Sequence, residues 1–594
     1  ALFRSIWENL REIIMAIAKS AAAAARKNAE QAQQAGQQAA QYGAHEAGQH
    51  VRSGAVVGEN GRVTFGLWAP WKKGVALVGS FNGWNKEANP MQVRDDGMWW
   101  TELKLDAGEH AYQFVVDVET DHPTWLADPY TQRLRWHDGQ PHSVVRVGAE
   151  AYQWGDDGFG AKPLNQTIIY EVHVGDFSPE GTFAGVTQRL DYIQSLGITA
   201  LELMPVQEFP GDRSWGYNPA YFFCPESAYG SPEDLKQLID QAHQRGIAVI
   251  LDMVLNHTDA SNPLTLLYAY QDNPYFGEDG NPWGFPDFNH WDEATKRLIR
   301  DIQDYWLLEF HIDGFRYDHA EGIGYDHESG MSFTAWAARQ TKPHAYLIVE
   351  NLQDPTSMVH NTEADASWHE SFHYTMRAQL REGDFQGNRY GDMAEVLKQM
   401  VFANTGYSDN AQAINYLENH DQERIAFEIR TNPGLDNDDA VRAKCKLGAL
   451  VLFTAAGVPM VYAGQEFATS TRKTIDANKL QWERLGDPVW EDLKNWYGSM
   501  AALRSQNPAF SQNHLEPLVV DNERKILVFK RWNDAGNQVV VALNFAPAPQ
   551  HVEIPFPRGG VWHEWAFNYD EDFGDTPTRT VDLPISGGKV WVAR

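Results

Sequence analysis

The chain has 594 residues, 43% of them hydrophobic and 22 of them tryptophan, so it is long enough for several domains with large cores. Its formal net charge of −31 excludes nucleic acid and anionic membranes as expected partners, because both carry negative charge. The sequence contains only two cysteines, Cys224 and Cys445, which excludes a disulfide framework and predicts two free, buried thiols.

Residues 1–55 are predicted to form a helical arm. Between Leu2 and Ile17 the apolar residues recur at helical spacing, and a polar stretch rich in alanine and glutamine follows. Such a stripe packs on its own protein or on a partner, so self-association through the arm is one alternative. Arg4 and Glu8 interrupt the apolar run, which argues against a signal peptide and favours the cytoplasm over secretion.

Residues 56–150 show the short alternating runs of a β-sandwich. Runs at 63–68 and 75–78 are followed by the turn sequence Phe81-Asn82-Gly83-Trp84. This segment resembles the starch- and glycogen-binding module that precedes branching enzymes, and the resemblance implies that Trp84 stacks on a glucan ring. Gln113 replaces a lysine that assists in the related module of AMP-activated protein kinase, so a purely structural role for the module is the alternative.

Residues 151–504 alternate strand-like and helix-like patterns. This alternation predicts an α/β fold, a (β/α)8 TIM barrel whose active site lies at the C-terminal ends of the strands. The predicted strands lie at residues 167–173, 200–203, 248–254, 310–315, 346–349, 364–368, 413–417 and 458–462. A short excursion is predicted at 257–291, between the third strand and the third helix.

Short strand-like runs return in residues 505–594. They lie at residues 525–530, 538–543, 550–554, 561–565 and 589–592. The pattern predicts a C-terminal antiparallel β-sandwich, so the barrel is flanked by a β-sandwich on each side, and the expected function of the C-terminal one is stability alone.

Polar side chains follow four of the predicted barrel strands. They occur in the stretches Asp252 to His257, Gly314 to Asp318, Leu347 to Asn351 and Glu418 to Asp421. Because successive strand ends meet at one face of a barrel, Asp318, Glu350 and Asp421 are expected to lie together. A group of carboxylates at such a face suits the cleavage of glycosidic bonds.

Arg316 lies two residues before Asp318, so both side chains face the same side of the predicted strand. A guanidinium in that place is expected to keep Asp318 ionised. Glu350 follows an apolar run, a setting that is expected to help hold it protonated. Asp252 is interpreted as a supporting residue.

In order and spacing, these stretches resemble the conserved regions of the α-amylase superfamily of glycoside hydrolases and transglycosylases. The resemblance covers residues 170–467 and is weaker in both flanks. It implies that Asp318 is the nucleophile, that Glu350 is the acid/base residue, and that Asp421 grips the sugar hydroxyls before the scissile bond.

The resemblance also implies a set of substrate-binding side chains. His257 and His420 match the family's transition-state-binding histidines. Tyr217, in Trp215-Gly-Tyr217, matches the aromatic residue that stacks under the same sugar. Arg316 belongs to the same substrate site, and its partner carboxylate is Asp318.

The chain departs from the family pattern at two places. Glu321 and Gly322 stand where many amylases carry lysine and histidine for product binding and calcium contact, so calcium at Asn256 is disfavoured and no metal or cofactor is predicted. Asn419 and Gln422 replace the serine and glutamate that branching enzymes carry around the histidine–aspartate pair.

The predicted function is a retaining hydrolase that cleaves α-1,4-glucosidic bonds in starch, glycogen or maltooligosaccharides through a covalent glucosyl-enzyme intermediate. One alternative is a 1,4-α-glucan branching enzyme, in which a sugar replaces water as acceptor. A second is a glycosyltrehalose trehalohydrolase, a class that the segment 202–215 resembles. A non-catalytic glucan-binding protein is the third, and the complete carboxylate set disfavours it.

Overall fold

The computed structural model describes residues 52–277, 281–326, 328–352, 355–401, 405–575 and 577–594. The predicted helical arm lies outside the described residues up to position 51, and the first described element is a strand at Gly54–Val57. Among the described helices, none is long and apolar enough to cross a membrane.

The N-terminal module is a β-sandwich, as predicted. Its strands are β1 (Gly54–Val57), β2 (Arg62–Trp68), β3 (Val75–Gly79), β4 (Gln92–Val93), β5 (Met98–Lys104), β6 (Gly108–Val116), β7 (Thr124–Leu126), β8 (Leu134–His137) and β9 (Gln140–Val147). One sheet has the order β1-β2-β5-β4 and the other β3-β6-β9-β8, with β7 paired to β6. Alternation along β2 buries Val63, Phe65 and Leu67 between the sheets.

Eight parallel strands of the next region close into the predicted barrel. The strands of this region are β10 (Ile169–Val172), β11 (Ala200–Leu203), β12 (Gln207–Glu208), β13 (Tyr221–Pro225), β14 (Ala248–Met253), β15 (Gly314–Tyr317), β16 (Tyr346–Val349), β17 (Ala366–Trp368), β18 (Ala413–Tyr416) and β19 (Val458–Tyr462). β12 and β13 pair with each other in the connection after β11, and the others form the barrel. The barrel strands are buried on both faces, which explains their nearly continuous apolar sequences.

The fourth barrel strand begins later than predicted. The sequence predicts a strand over 310–315, but Phe310 ends the preceding helix and β15 begins at Gly314. His311 adopts a left-handed φ of 56°, which turns the chain between helix and strand. A Cβ atom at Gly314 would clash with the backbone oxygen of Tyr346, so glycine is required where β15 begins beside β16.

Helices surround the barrel and join its strands. They are α1 (Val174–Phe177), α2 (Phe183–Thr187), α3 (Leu190–Ser195), α4 (Pro232–His243), α5 (Glu293–Glu309), α6 (Ala320–Ile323), α7 (Gly330–Thr341), α8 (Pro355–Asn361), α9 (Glu370–Leu380), α10 (Met393–Met400), α11 (Ile425–Arg430), α12 (Asp438–Thr454) and α13 (Pro488–Gln506). Cys445 lies in α12 and Cys224 in β13, and both thiols are free and buried, as predicted. Cys224 therefore belongs to a short strand in the connection after β11.

The C-terminal region is antiparallel, as predicted, but has more strands than predicted. They are β20 (Leu515–Asp521), β21 (Ile526–Trp532), β22 (Gln538–Asn544), β23 (Gln550–Pro555), β24 (Val561–Glu564), β25 (Tyr569–Asp572), β26 (Thr578–Leu583) and β27 (Gly587–Ala593). A six-stranded sheet has the order β20-β21-β22-β27-β24-β25, and β23 pairs with β26. Three strands, β20, β25 and β26, were not predicted, and two of them, β20 and β25, form the edges of the large sheet, where exposed side chains hide the alternating pattern.

Candidate active site

Arg316 stands at the centre of the predicted carboxylate set. Its fully buried guanidinium pairs with Asp252 at 2.7 Å, with Glu350 at 2.8 Å and with Asp318 at 3.2 Å. These acids lie on or directly after β14, β16 and β15, three neighbouring strands of the barrel. A planar guanidinium can bind several carboxylates in fixed directions, so Arg316 fixes Asp318 and Glu350 on the same side of the site.

The protonation of Asp318 differs from the expectation drawn from Arg316 alone. Burial raises the pKa of Asp318 well above its usual range; Arg316 opposes this rise, and the charges of Glu350 and Asp252 add to it. The reason is that one guanidinium is shared among three acids. The raised pKa of Asp318 favours a shared proton on the set, which a pair working as nucleophile and acid requires.

The backbone turn after Asp318 holds Glu350 in place. The His319 N–H donates to Glu350 Oε2 at 2.9 Å, and the Ala320 N–H donates to the Glu350 carbonyl oxygen at 2.8 Å. His319 itself has a left-handed backbone, with φ 42° and ψ 50°. Such a conformation costs a non-glycine residue roughly 1–2 kcal/mol and persists where the surroundings enforce it. The turn thus couples the positions of the two central acids.

Asp421 and His420 form the opposite side of the site. His420 Nε2 lies 3.3 Å from Asp421 Oδ2, and the His420 ring stacks on Tyr217 with 4.9 Å between centroids. The Tyr217 hydroxyl donates to Asp252 at 2.5 Å, which ties this side to Arg316. Lys473, a residue that the sequence did not indicate, lies 3.6 Å from Asp421 Oδ1. The structure thus brings Tyr217, His420 and Asp421 together.

His257 lies beside this group but is held by the backbone. Its Nε2 donates to the Tyr217 carbonyl oxygen at 2.8 Å, and its ring stacks on Phe285 at 4.8 Å. Burial lowers the pKa of His257, so the ring is neutral and Nδ1 remains as an acceptor. The buried Nδ1 atom has no hydrogen-bond partner in the described structure.

The protein-family model described as "Alpha amylase, catalytic domain" matches residues 135–276 and 269–538 of the sequence. The chain belongs to the α-amylase family. Carbohydrate-binding module 48 matches residues 42–131, and "Alpha amylase, C-terminal all-beta domain" matches residues 519–590. These matches confirm the predicted family and architecture: this is an α-amylase-family enzyme that acts on α-glucans.

Relatives of this α-amylase-family enzyme differ in the reaction that their names state. The "Malto-oligosyltrehalose trehalohydrolase" of Saccharolobus solfataricus is 30% identical over 441 residues, 68% of this chain and 73% of the relative. The "1,4-alpha-glucan branching enzyme GlgB" of Mycobacterium tuberculosis is 36% identical over 293 residues, 46% of this chain and 38% of the relative. A pullulanase from Anoxybacillus sp. LM18-11, solved with maltotetraose, has TM-score 0.77 and 19% identity, covering 92% of this chain and 88% of that chain. At 19% identity, the structural similarity to the pullulanase shows a shared fold.

Trp283 is an aromatic residue of the site that the sequence did not single out. It lies in the connection between β14 and α5 and is 58% exposed. Its ring lies 4.8 Å from that of His319 and 6.0 Å from that of His257. An exposed indole there offers a stacking face for a sugar ring. The only sequence signal was a tryptophan between Pro282 and Gly284, a pattern that core tryptophans also show.

A second unpredicted feature is the clamp formed by Arg213. Its Nη2 donates to both oxygens of Asp176, at 3.0 and 2.9 Å, and to the carbonyl oxygen of Asp476 at 2.7 Å. These residues belong to the connections after β11, β10 and β19. The clamp therefore joins three connections of the barrel, two residues before Trp215. Arg213 thus has a structural role within the segment 202–215, which resembles that of the trehalohydrolases.

The residues around Asn256 do not fit a calcium ion. Asn256 Oδ1 is buried without a hydrogen-bond partner, and Gly322 beside it brings no side-chain oxygen. Within the described ranges, no group of three or more His, Cys, Asp or Glu side chains could hold a metal. Ca²⁺ takes about six to eight oxygen ligands, and Gly322 supplies no side-chain oxygen toward them.

Trp84 lies in the N-terminal module, in the turn after β3, and is half-buried. It has a left-handed φ of 61°, and its ring lies 4.6 Å from that of His142 on β9. Gln113 is buried and donates to the Pro141 carbonyl oxygen at 3.0 Å, so it packs inside the module. Trp84 and His142 are thus neighbouring aromatic rings in the module, and the stacking of Trp84 on a glucan stays a prediction.

We expect Trp84→Ala to weaken retention on glycogen several-fold, because stacking of a sugar on the solvent-facing part of this indole contributes roughly 1 kcal/mol. Hydrolysis of a short maltooligosaccharide should be almost unchanged. The measurement is affinity electrophoresis in glycogen gels beside a short-substrate assay, with Trp71→Ala as the matched control because Trp71 is 76% exposed in the same module. Unaltered retention, or an equal loss for both variants, would contradict the role of Trp84.

Proposed function

We propose that this enzyme is a retaining hydrolase of α-1,4-glucosidic bonds whose substrate is a maltooligosaccharide linked to trehalose. The observation that carries the chemistry is the Arg316 guanidinium, which contacts Asp318 and Glu350 beside Asp421. Retaining glycosidases hold their two carboxyl groups about 5–5.5 Å apart, a spacing that two acids on a shared guanidinium suit. The relative from Saccharolobus solfataricus supports the trehalose-linked substrate, since 68% of this chain aligns with it.

The proposed reaction has two steps. Glu350 gives its proton to the glycosidic oxygen while the Asp318 carboxylate attacks the anomeric carbon, so the glycosidic bond breaks and a glucosyl ester forms. Glu350 then takes a proton from water, and the resulting hydroxyl attacks the anomeric carbon and frees Asp318. For the first step the proton of the carboxylate set must reside on Glu350. Asp421 and His420 hold hydroxyls of the sugar that reacts.

A glucan branching enzyme is the second candidate. The Mycobacterium tuberculosis relative favours it, with 36% identity over 293 residues. A branching enzyme shares the first step and differs in using a sugar hydroxyl in place of water. Asn419 and Gln422 argue against it, as they replace the serine and glutamate of that class. An amylase that acts on starch and glycogen without regard to trehalose is the third candidate.

Product analysis distinguishes these candidates. The enzyme is incubated separately with maltooligosyltrehalose and with amylose, and the products are examined for free trehalose, reducing ends and α-1,6 branch points. We expect trehalose release to exceed the appearance of reducing ends from amylose. Branch points would establish the second candidate, and equal cleavage of both substrates the third. Turnover no greater than that of Asp318→Asn on either substrate would refute the proposal.

The first product should retain the α configuration at the new reducing end. Two successive displacements at the anomeric carbon, by Asp318 and then by water, restore the original stereochemistry. Proton nuclear magnetic resonance during the first minutes of hydrolysis, before mutarotation, reads the anomer directly. Initial appearance of the β-anomer would show a single displacement by water and would remove the nucleophile role from Asp318.

Two further expectations accompany the proposed function. A cytoplasmic location is one, which cell fractionation tests. Self-association through the N-terminal arm is the other, which sedimentation of the full chain beside a chain lacking residues 1–51 tests. A glucan substrate and a monomeric or dimeric enzyme are compatible with the same chemistry, so neither result changes the assignment of the acids.

A further inference from the structure

A layer of buried acids lies within the barrel next to the substrate-binding side chains, and the proposed reaction does not use it. Glu171 on β10 and Glu202 on β11 occupy paired positions of adjacent strands. Each is 1% exposed. A buried carboxylate is costly unless it is paired or protonated, so both residues require a physical reason.

Glu171 is paired with His420. Its Oε1 atom lies 2.6 Å from His420 Nδ1, and both side chains are almost completely buried. On the other side of the ring, His420 Nε2 lies 3.3 Å from Asp421 Oδ2. Both ring nitrogens therefore face carboxylate oxygens. An imidazole can donate to two acceptors only when it carries both protons and a positive charge.

The surroundings of His420 favour that charged form. Burial by itself lowers the pKa of His420, but Asp421 and Glu171 outweigh burial and raise the pKa well above its usual range. The other titratable and charged groups near the ring, from the neighbouring strands and loops, are Tyr217, Glu202, Asp252, Arg316 and Lys473. Tyr217 stacks on the ring, and Arg316 and Lys473 contact Tyr217 and Asp421 respectively.

We propose that Glu171 is a positioning residue that holds His420 as an imidazolium, with its Nε2–H directed at Asp421 and at the sugar hydroxyl that Asp421 binds. Glu171 touches no substrate and acts through His420. Hydrogen bonds from a charged donor are about twice as strong as neutral ones, so the pairing strengthens sugar binding and keeps it constant as pH rises. The inference rests on the proposed function only in that a glucose unit occupies this place.

Glu202 provides a matched control. Neither of its carboxyl oxygens has a hydrogen-bond partner in the described structure, so Glu202 acts on His420 through charge alone and not through a hydrogen bond. Burial, together with the charges of Glu171 and Asp252, raises the pKa of Glu202 well above its usual range, which favours the neutral form. Glu202→Gln therefore exchanges one neutral group for another of the same shape. Glu171→Gln makes the same exchange of atoms but removes the charge that faces His420.

The test measures binding in the inactive Asp318→Asn background, so that no turnover interferes. Maltotetraose affinity is determined by calorimetry from about pH 6 to about pH 8.5, across the range in which an unsupported histidine loses its proton. We expect the background protein and its Glu202→Gln derivative to show a flat profile. In the Glu171→Gln derivative the pKa of His420 falls, so affinity should weaken about tenfold as pH rises through the new pKa. Glu171→Asp, which keeps the charge, should restore much of the flat profile.

Several outcomes would overturn the inference. A flat profile in the Glu171→Gln derivative, or an equal fall in the Glu202→Gln derivative, would show that Glu171 does not set the charge of His420. A pH-independent loss in both Glu171 derivatives would assign Glu171 a purely structural role, as would unfolding of both. Absence of maltotetraose binding to the background protein would also overturn it, because His420 would then hold no sugar. Because maltotetraose contains no trehalose, failure of the proposed substrate would leave this result unchanged.

Discussion

Replacing Asp318 by asparagine, or Glu350 by glutamine, is expected to lower kcat by roughly four orders of magnitude or more. Asp318→Asn removes the attacking oxygen of the first step, and Glu350→Gln removes the proton that the leaving oxygen needs. Both variants should keep their apparent Tm or raise it slightly, because burial already penalises the charge of Asp318 and an amide of the same shape removes that penalty. The measurements are kcat on the preferred substrate and Tm by scanning calorimetry.

Asp365→Asn is the matched control for these two variants. Asp365 precedes β17, at the opposite end of the barrel, where its Oδ2 accepts the Leu347 N–H at 2.8 Å and the side chain pairs with Arg339. Residues at that end of a barrel serve stability, so this variant should lose Tm while keeping kcat within a few-fold of the parent enzyme. A loss of less than tenfold in either Asp318→Asn or Glu350→Gln would remove the residue from the reaction.

The barrel was predictable because its strands are short, apolar and separated by helical patterns. The strands predicted at 200–203 and 346–349 agree with β11 and β16 at both ends. The fourth strand was placed too early because Phe310 and Ile312 are apolar for a different reason, namely packing at the turn between helix and strand. β25 was missed since all four of its residues are exposed and show no alternation.

The acids of the site were predictable because each follows a strand, and strand ends converge in a barrel. It was not predictable that several acids share the Arg316 guanidinium, because this depends on the register that pairs Asp252 with Arg316 across β14 and β15. Glu171 was likewise read only as part of the first strand, since its contact with His420 joins residues 249 positions apart. The place of Trp283 beside the site depends on the path of a loop, and loop sequences carry no periodic pattern. Tertiary contacts of this kind leave no local signal.

Arg316→Met is expected to destabilise the protein by about 3–5 kcal/mol, because it leaves buried carboxylates without their counter-ion. Arg316 is fully buried, contacts three acids and lies with its guanidinium 4.1 Å from the Trp368 ring centroid. Methionine keeps much of the volume, so the loss is mainly electrostatic. Activity should fall with stability, since Asp318 and Glu350 would lose the group that fixes them. Apparent Tm and kcat are the measurements.

The pH dependence of this loss identifies its cause. Without Arg316 the folded-state pKa values of Asp252 and Asp318, which burial already raises, rise further above the unfolded aspartate value of about 3.9. An acid whose pKa is raised by folding costs no stability below the unfolded pKa and costs progressively more as pH rises above it. The Tm deficit of Arg316→Met should therefore be small near pH 4 and large near pH 7. Arg424→Met removes a buried arginine that pairs with a single acid, Glu418, so the Tm deficit of this variant should depend less on pH. A deficit that is the same at both pH values would mean that Arg316 stabilises the barrel by packing alone.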